Sequence, residues 1–173
     1  MKKKRRYPYN IYIIGFMGSG KSTLLRAFAR VYRMDVCDTD KEIEKKEGMS
    51  VSEIHKNKGM DYFIEKELEV LKSVDHRKGV VVSCGGETPL TEEKLDIIKR
   101  GKVVFLKTPA EETVKRILRR DTRPTAEGKT KEELLEMLKK YENEYEPLAD
   151  IVVYTYSQGA SEAADLIISK LYV

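Results

Sequence analysis

Ile11-Tyr12-Ile13-Ile14 runs directly into Gly15-Phe16-Met17-Gly18-Ser19-Gly20-Lys21-Ser22-Thr23, and the helical pattern TLLRAFARVY continues from there. Gly15, Gly20, Lys21 and Ser22 satisfy G-x-x-x-x-G-K-[ST] at every fixed position, in the strand–loop–helix context the motif needs. Glycines let the backbone curl until several N–H groups point inward, forming a nest for anionic oxygens. The helix starting near Ser22 adds its partial positive charge. Lys21 supplies a point charge for β- and γ-phosphates, and the Ser22 hydroxyl supplies a ligand for Mg2+. Gly15, Gly18, Ser19, Gly20, Lys21, Ser22 and Thr23 are therefore expected to hold the phosphates of a nucleoside triphosphate. The guanine-reading element N-K-x-D is absent from the sequence, so Mg·ATP is expected over GTP.

Apolar runs of strand length alternate with helical patterns along the rest of the chain. This predicts an α/β fold, a mostly parallel sheet with right-handed crossovers. Strands are expected at Asp35 to Cys37, Val80 to Val82, Lys102 to Lys107 and Ile151 to Tyr154. The first helix should turn Leu25, Phe28 and Ala29 inward, and the helix over Asp61 to Val74 should use Phe63, Leu68 and Leu71. Ser50 with Glu53, and Thr130 with Glu133, have capping-box spacing. Thr91 and Thr108 are read as further caps, the latter with Pro109 in the first turn. Asp121 to Lys129, containing Pro124 and Gly128, reads as a mobile loop, and Ser161 to Leu171 as the last helix. At 173 residues the chain suits one domain, 1–173, large enough to bury a core without staples.

Thirty-three Lys+Arg against 29 Asp+Glu leave a net charge of +4, a surplus that does not by itself signal nucleic acid. The basic block Lys2 to Arg6 is read as a solvated terminus, and Tyr7, Tyr9 and Tyr12 as packing for the first strand. Cys37 and Cys84 have no metal-binding spacing and are expected to be buried, reduced thiols. His55 and His76 lie in lysine-rich surroundings and are read as solvated. No apolar run reaches the roughly 20 residues of a membrane span. A cytoplasmic monomer without membrane or nucleic-acid partners is expected.

Asp38-Thr39-Asp40 precedes the helical stretch KEIEKKEG. Two acids one residue apart can divide labour, one serving Mg2+ and the other a hydroxyl proton. They can equally cap the helix. The residues alone leave both open.

With GFMGSGKST, DTD before an EIEK-like helix, VVVSCGG, RRDTRP and YEPLADIVVYT in that order, the chain resembles the shikimate kinases, small P-loop kinases. The resemblance spans nearly the whole sequence. It implies a five-stranded parallel sheet with helices on both sides, a lid near 121–130 and an acceptor-binding helical region at 40–75. It implies ATP and Mg2+ as cofactors and transfer of the γ-phosphoryl group to a hydroxyl of shikimate. Lys21, Asp40 and Arg123 would then be catalytic: Asp40 at the acceptor hydroxyl, Arg123 reaching the phosphates from the lid. Asp38 would serve Mg2+ through water beside Ser22, Arg116 would lie near adenine, and Gly85 and Gly86 would border the acceptor.

Three positions depart from the family pattern. Its F-R-x-x-E, whose arginine clamps the substrate carboxylate, reads Phe63-Ile64-Glu65-Lys66-Glu67 here. An arginine four residues before the family's tyrosine becomes Tyr141, counted from Tyr145, and its third glycine becomes Glu87. Residues one helical turn from Ile64 (Met60, Asp61, Glu67, Leu68) and from Tyr141 (Met137, Leu138, Glu144, Tyr145) are not basic. Each lost hydrogen bond to charge costs about 1.5–3 kcal/mol. Two such losses weaken carboxylate binding by roughly a hundredfold or more. A one-residue shift of the alignment would bring Lys140 or Lys66 into the vacant role. The sequence thus supports a shikimate kinase with a rearranged carboxylate site, or a related kinase with another hydroxyl acceptor. A nucleotide or nucleoside kinase and a non-catalytic ATP-binding regulator are the further alternatives.

Overall fold

A computed structural model describes residues 7–86, 90–119, 124–155 and 158–171. Its strands are β1 (Ile11–Ile14), β2 (Asp35–Asp38), β3 (Val80–Ser83), β4 (Lys102–Lys107) and β5 (Ile151–Tyr154). The helices are α1 (Lys21–Tyr32), α2 (Thr39–Glu47), α3 (Val51–Lys58), α4 (Met60–Asp75), α5 (Glu92–Ile98), α6 (Ala110–Leu118), α7 (Lys131–Tyr145) and α8 (Ala160–Leu171). Short 3-10 turns cover Pro124–Ala126 and Glu146–Leu148. The strands form one five-stranded sheet in the order β2-β3-β1-β4-β5. Every neighbouring pair is parallel.

The central strand shows why IYII lacks polar alternation. Ile11 and Ile13 pack with the apolar faces of α1 and α8, while Tyr12 and Ile14 pack with α4, α5 and α7 on the other side. A strand covered on both faces reads as a continuous apolar run. Because all strands are parallel, the loops after β1, β2 and β3 leave from one edge, where open α/β sheets place their ligands.

Both capping boxes form. Ser50 N donates to Glu53 Oε2 at 2.8 Å and Glu53 N to Ser50 Oγ at 3.1 Å. The matching pair at Thr130 and Glu133 spans 2.7 and 3.2 Å. Thr91 also caps its helix, through Lys94 N.

Several expectations need correcting. Ala27, not Ala29, is the buried alanine of α1, because Leu24, Ala27 and Phe28 lie on the stripe facing α8. In α4 the inward position next to Phe63 and Leu71 belongs to Glu67, with Leu68 half-buried. His55 is not a solvated histidine: its ring packs on Phe63 with centroids 4.7 Å apart, and burial pulls its pKa down. Thr108 makes no cap for α6; its hydroxyl turns toward the phosphate loop instead. Of the expected lid, 121–123 falls outside the described residues, and the 3-10 turn at Pro124–Ala126 follows. Both cysteines are buried and free, as expected. No helix among the described residues is long and apolar enough to cross a membrane.

Candidate active site

A cleft of about 390 Å³ at the carboxyl edge of the sheet brings the separate sequence motifs together. Gly18 to Thr23 form one wall, with Asp38 and Asp40 from the end of β2, and Ser83 to Gly86 from the end of β3. Arg116, Thr155 and Gln158 border its other end. Gly15 stands just behind, at the root of the loop.

The loop gets its shape from backbone conformations that suit glycine. Gly20 has φ of 94°, in the left-handed region, directly before α1 begins. Helix α1 starts at Lys21, so its N-terminal end lies at the phosphate loop. Lys21 is buried and folds back across the loop, donating from Nζ to the carbonyls of Gly15 at 2.7 Å and Phe16 at 3.1 Å. Thr108, expected as a cap, is instead a tether. Its Oγ1 donates to Ser19 O at 3.1 Å and lies 2.9 Å from Thr155 Oγ1, joining the phosphate loop to the ends of β4 and β5.

At the next strand end, both roles weighed for Asp38 are available at once. Its Oδ1 accepts from Asp40 N at 3.1 Å and Lys41 N at 3.3 Å, capping α2. Its Oδ2 accepts from Ser22 Oγ at 3.0 Å. This leaves a hydroxyl and a carboxylate side by side at the mouth of the phosphate loop, an all-oxygen pair suited to a hard cation such as Mg2+. No group of three or more His, Cys, Asp or Glu that could hold a metal occurs among the described residues. A cation here would share its ligands with phosphate oxygens and water, as Mg2+ does in nucleotide sites.

Thr39 ties the start of α2 to the end of β3. Its Oγ1 donates to Ser83 O and accepts from Gly85 N, each at 3.2 Å, which holds the start of α2 against the glycine ledge. The ledge has no room for side chains. A Cβ on Gly85 would lie 2.6 Å from Glu67 Oε1 and 2.9 Å from Asp40 Oδ1. One on Gly86 would lie 2.5 Å from Gly15 O, 2.7 Å from Lys21 Nζ and 2.8 Å from Met17 N. The ledge therefore faces the carboxylates with one residue and the phosphate loop with the next.

Arg116 reaches the other end of the loop, donating from Nη1 to Gly18 O at 3.3 Å while Nε pairs with Glu112. Arg123 and Glu87 lie outside the described residues. Sequence reasoning assigned no role to Arg26, Thr155 and Gln158. Arg26 carried a signal, since it stands one helical turn after Ser22 and Thr23, and its Nη2 donates to Thr23 Oγ1 at 3.2 Å. The buried pair of Glu67 and Lys94 behind Gly85 was also missed. Glu67 falls in step with Phe63, Val70, Leu71 and Val74 on the buried stripe of α4, so its periodicity was the available sign. Ile64 is half-buried and Tyr141 buried at the places of the family's arginines. Lys66 pairs with Glu69 at 3.0 Å and Lys140 is exposed, so neither lysine moves into those places.

Cys84 sits between β3 and the ledge, where burial and then the Glu67 charge push its thiol up to about 12. Burial raises Cys37 to about 11. Both are protonated packing groups at neutral pH.

A strand, phosphate loop and helix on a parallel sheet, with acids at the neighbouring strand end, define a P-loop phosphotransferase. The comparisons narrow the class. The family model "Shikimate kinase" matches residues 17–172. A shikimate kinase of Clostridium botulinum (strain 657 / Type Ba4) is 40% identical over 84% of this chain and 88% of its own length. One from Pasteurella multocida is 37% identical over 94% of both chains. The solved shikimate kinase of Acinetobacter baumannii, in complex with shikimate, superposes with a TM-score of 0.87 at 31% identity, covering 95% of this chain and 93% of the other. The chain belongs to the shikimate kinase family, and its enzyme class is that of a small-molecule kinase with an alcohol group as acceptor.

Proposed function

We propose that the protein transfers the γ-phosphoryl group of ATP to a hydroxyl of shikimate, giving shikimate 3-phosphate. The observation that carries this reading is one cleft shared by the phosphate loop, Asp40 and the Gly85–Gly86 ledge. Donor and acceptor bound there would meet between Lys21 and Asp40, and such positioning is most of what phosphoryl transfer requires.

In this reading Lys21 stabilises charge on the transferring group while the loop amides hold the phosphates. Asp40 orients the acceptor hydroxyl or takes its proton. Ser22, and Asp38 through water, would hold Mg2+, which when bound would neutralise phosphate charge. Arg116 lies beside the nucleobase end, and Gly85 and Gly86 border the acceptor. Arg123, as the resemblance implies, would bring a guanidinium from the lid to the phosphates, a group suited to planar anion contacts. Two buried thiols are consistent with a reducing, cytoplasmic setting, and we propose a monomer of a single domain spanning 1–173.

The test is shikimate-dependent ADP release in a coupled assay, with Lys21→Ala as the control. Turnover at near-millimolar KM or better, lost in Lys21→Ala, is expected. ATP binding without turnover on any hydroxyl compound would favour a regulatory nucleotide-binding protein.

A second reading, transfer to a different hydroxyl acceptor, is favoured by Ile64 and Tyr141. Neither side chain offers a cation to a bound carboxylate.

A further inference from the structure

Arg26 stands on the second turn of α1 and lines the same cleft as the phosphate loop. It shares an exposed stripe of that helix with Ser22 and Thr23, four and three residues before it. Helical side chains lean toward the helix N-terminus, so a long side chain at 26 is carried back over the first turn. Its guanidinium is found there, with Nη2 donating to Thr23 Oγ1 at 3.2 Å. Arg100 and Arg116 each hold an acid, but no carboxylate pairs with Arg26 among the described residues.

The direction of the Thr23 bond matters. Arginine has donors and no acceptor, so the threonine oxygen accepts and its own proton stays available. Thr23 also lines the cleft, and its hydroxyl has no other hydrogen-bond partner among the described residues. Two donors thus stand side by side, an oriented hydroxyl and a permanently charged, planar guanidinium whose geometry suits phosphate oxygens.

The order of groups along the loop tells which phosphate they meet. Lys21 serves the β- and γ-phosphates, and Ser22, 3.0 Å from Asp38, serves the cation that bridges them. Thr23 and Arg26 come next, beside the phosphate attached to the ribose.

Resting on the ATP-donor reading, we propose that Arg26 is a donor-binding residue that contacts the α-phosphate and holds the Thr23 hydroxyl as a second donor to it. This phosphate stays with the nucleotide, so the contact serves ATP and ADP alike and leaves the transfer step to Lys21.

The experiment measures ADP and Mg·ATP binding by calorimetry for wild type, Arg26→Ala and Arg26→Lys, with steady-state kinetics on shikimate and thermal melts. Arg26→Ala should weaken both nucleotides by the same factor, about tenfold, and raise KM for ATP to match, with the acceptor KM unchanged. Arg26→Lys keeps the charge without the fork and should recover part of the loss. Melting midpoints should match wild type, since Arg26 is exposed. Unchanged nucleotide affinity overturns the proposal. So does a loss confined to ATP, which would put Arg26 on the γ-phosphate, or a shift in acceptor KM alone. The binding measurements need no acceptor. If wild type binds both nucleotides without turning over shikimate, and Arg26→Ala still weakens both, the proposal stands and the shikimate reading falls. Failure of wild type to bind either nucleotide overturns both.

Discussion

Ser22 and Asp38 meet across 3.0 Å, one at the start of α1 and the other at the end of β2. The same carboxylate caps α2 through its second oxygen. The cap and the contact to Ser22 fall on different oxygens of one side chain, which makes them separable.

Asp38→Asn keeps an oxygen that caps well, whereas Asp38→Ala removes it at a cost of about 0.5–2 kcal/mol. Melting should therefore be near wild type for the first and lowered for the second. Both variants should need more Mg2+ for half-maximal activity. A Mg2+ requirement that moves in neither variant would remove Asp38 from the metal site.

Gly86→Ala should abolish most turnover, by about a hundredfold or more, since its Cβ would press on backbone atoms of Gly15 and Met17. Gly48→Ala is the matched control. Gly48 has a positive φ, 67°, which Gly86 lacks, and nothing lies within 4 Å of a Cβ there. It should lose about 1–2 kcal/mol of stability while keeping its kinetics. Steady-state assays and melts on the two proteins distinguish crowding of the site from ordinary backbone strain.

Lys94→Met strands the Glu67 carboxylate in the core and should destabilise the protein by about 3–5 kcal/mol. The double variant Glu67→Leu with Lys94→Met removes both charges and should recover much of that loss in urea unfolding. Equal instability of the single and double variants would show that packing, not charge, dominates there.

The thiols give a pH prediction. Folded-state pKa values of about 11 for Cys37 and about 12 for Cys84 lie above the ordinary 9.0. Their contribution is therefore complete below pH 9 and declines as pH rises toward those folded values, because the unfolded chain ionises first. Between pH 9 and 11, wild type should lose melting temperature faster than the Cys37→Ala, Cys84→Ala double variant. Parallel curves would contradict the assignment.

The phosphate loop was legible because its glycines and Lys21 obey fixed spacing, and the strands because burial on both faces leaves apolar runs. Capping boxes at Ser50 and Thr130 were equally local signals. Thr108 misled because its neighbours satisfy a helix-start pattern, while its actual partners, Ser19 and Thr155, are distant in sequence. Long-range pairing is invisible to local spacing. Glu67 and Lys94 were missed for the same reason: 27 residues separate two charges that bury one another. Tyr141 was flagged by its place in a motif, but its burial among aromatic rings is a property of packing.

The glycine ledge also constrains how such an enzyme can diversify. Gly85 abuts the Glu67 and Asp40 carboxylates and Gly86 abuts the phosphate loop, so neither position can take a side chain without disturbing those groups. Evolution toward a new acceptor would therefore work from the helices, with Ile64 on α4 and Tyr141 on α7, the positions that already depart from the family pattern, as the first places to look. Relatives with different acceptors should agree along the ledge and diverge on those two helices.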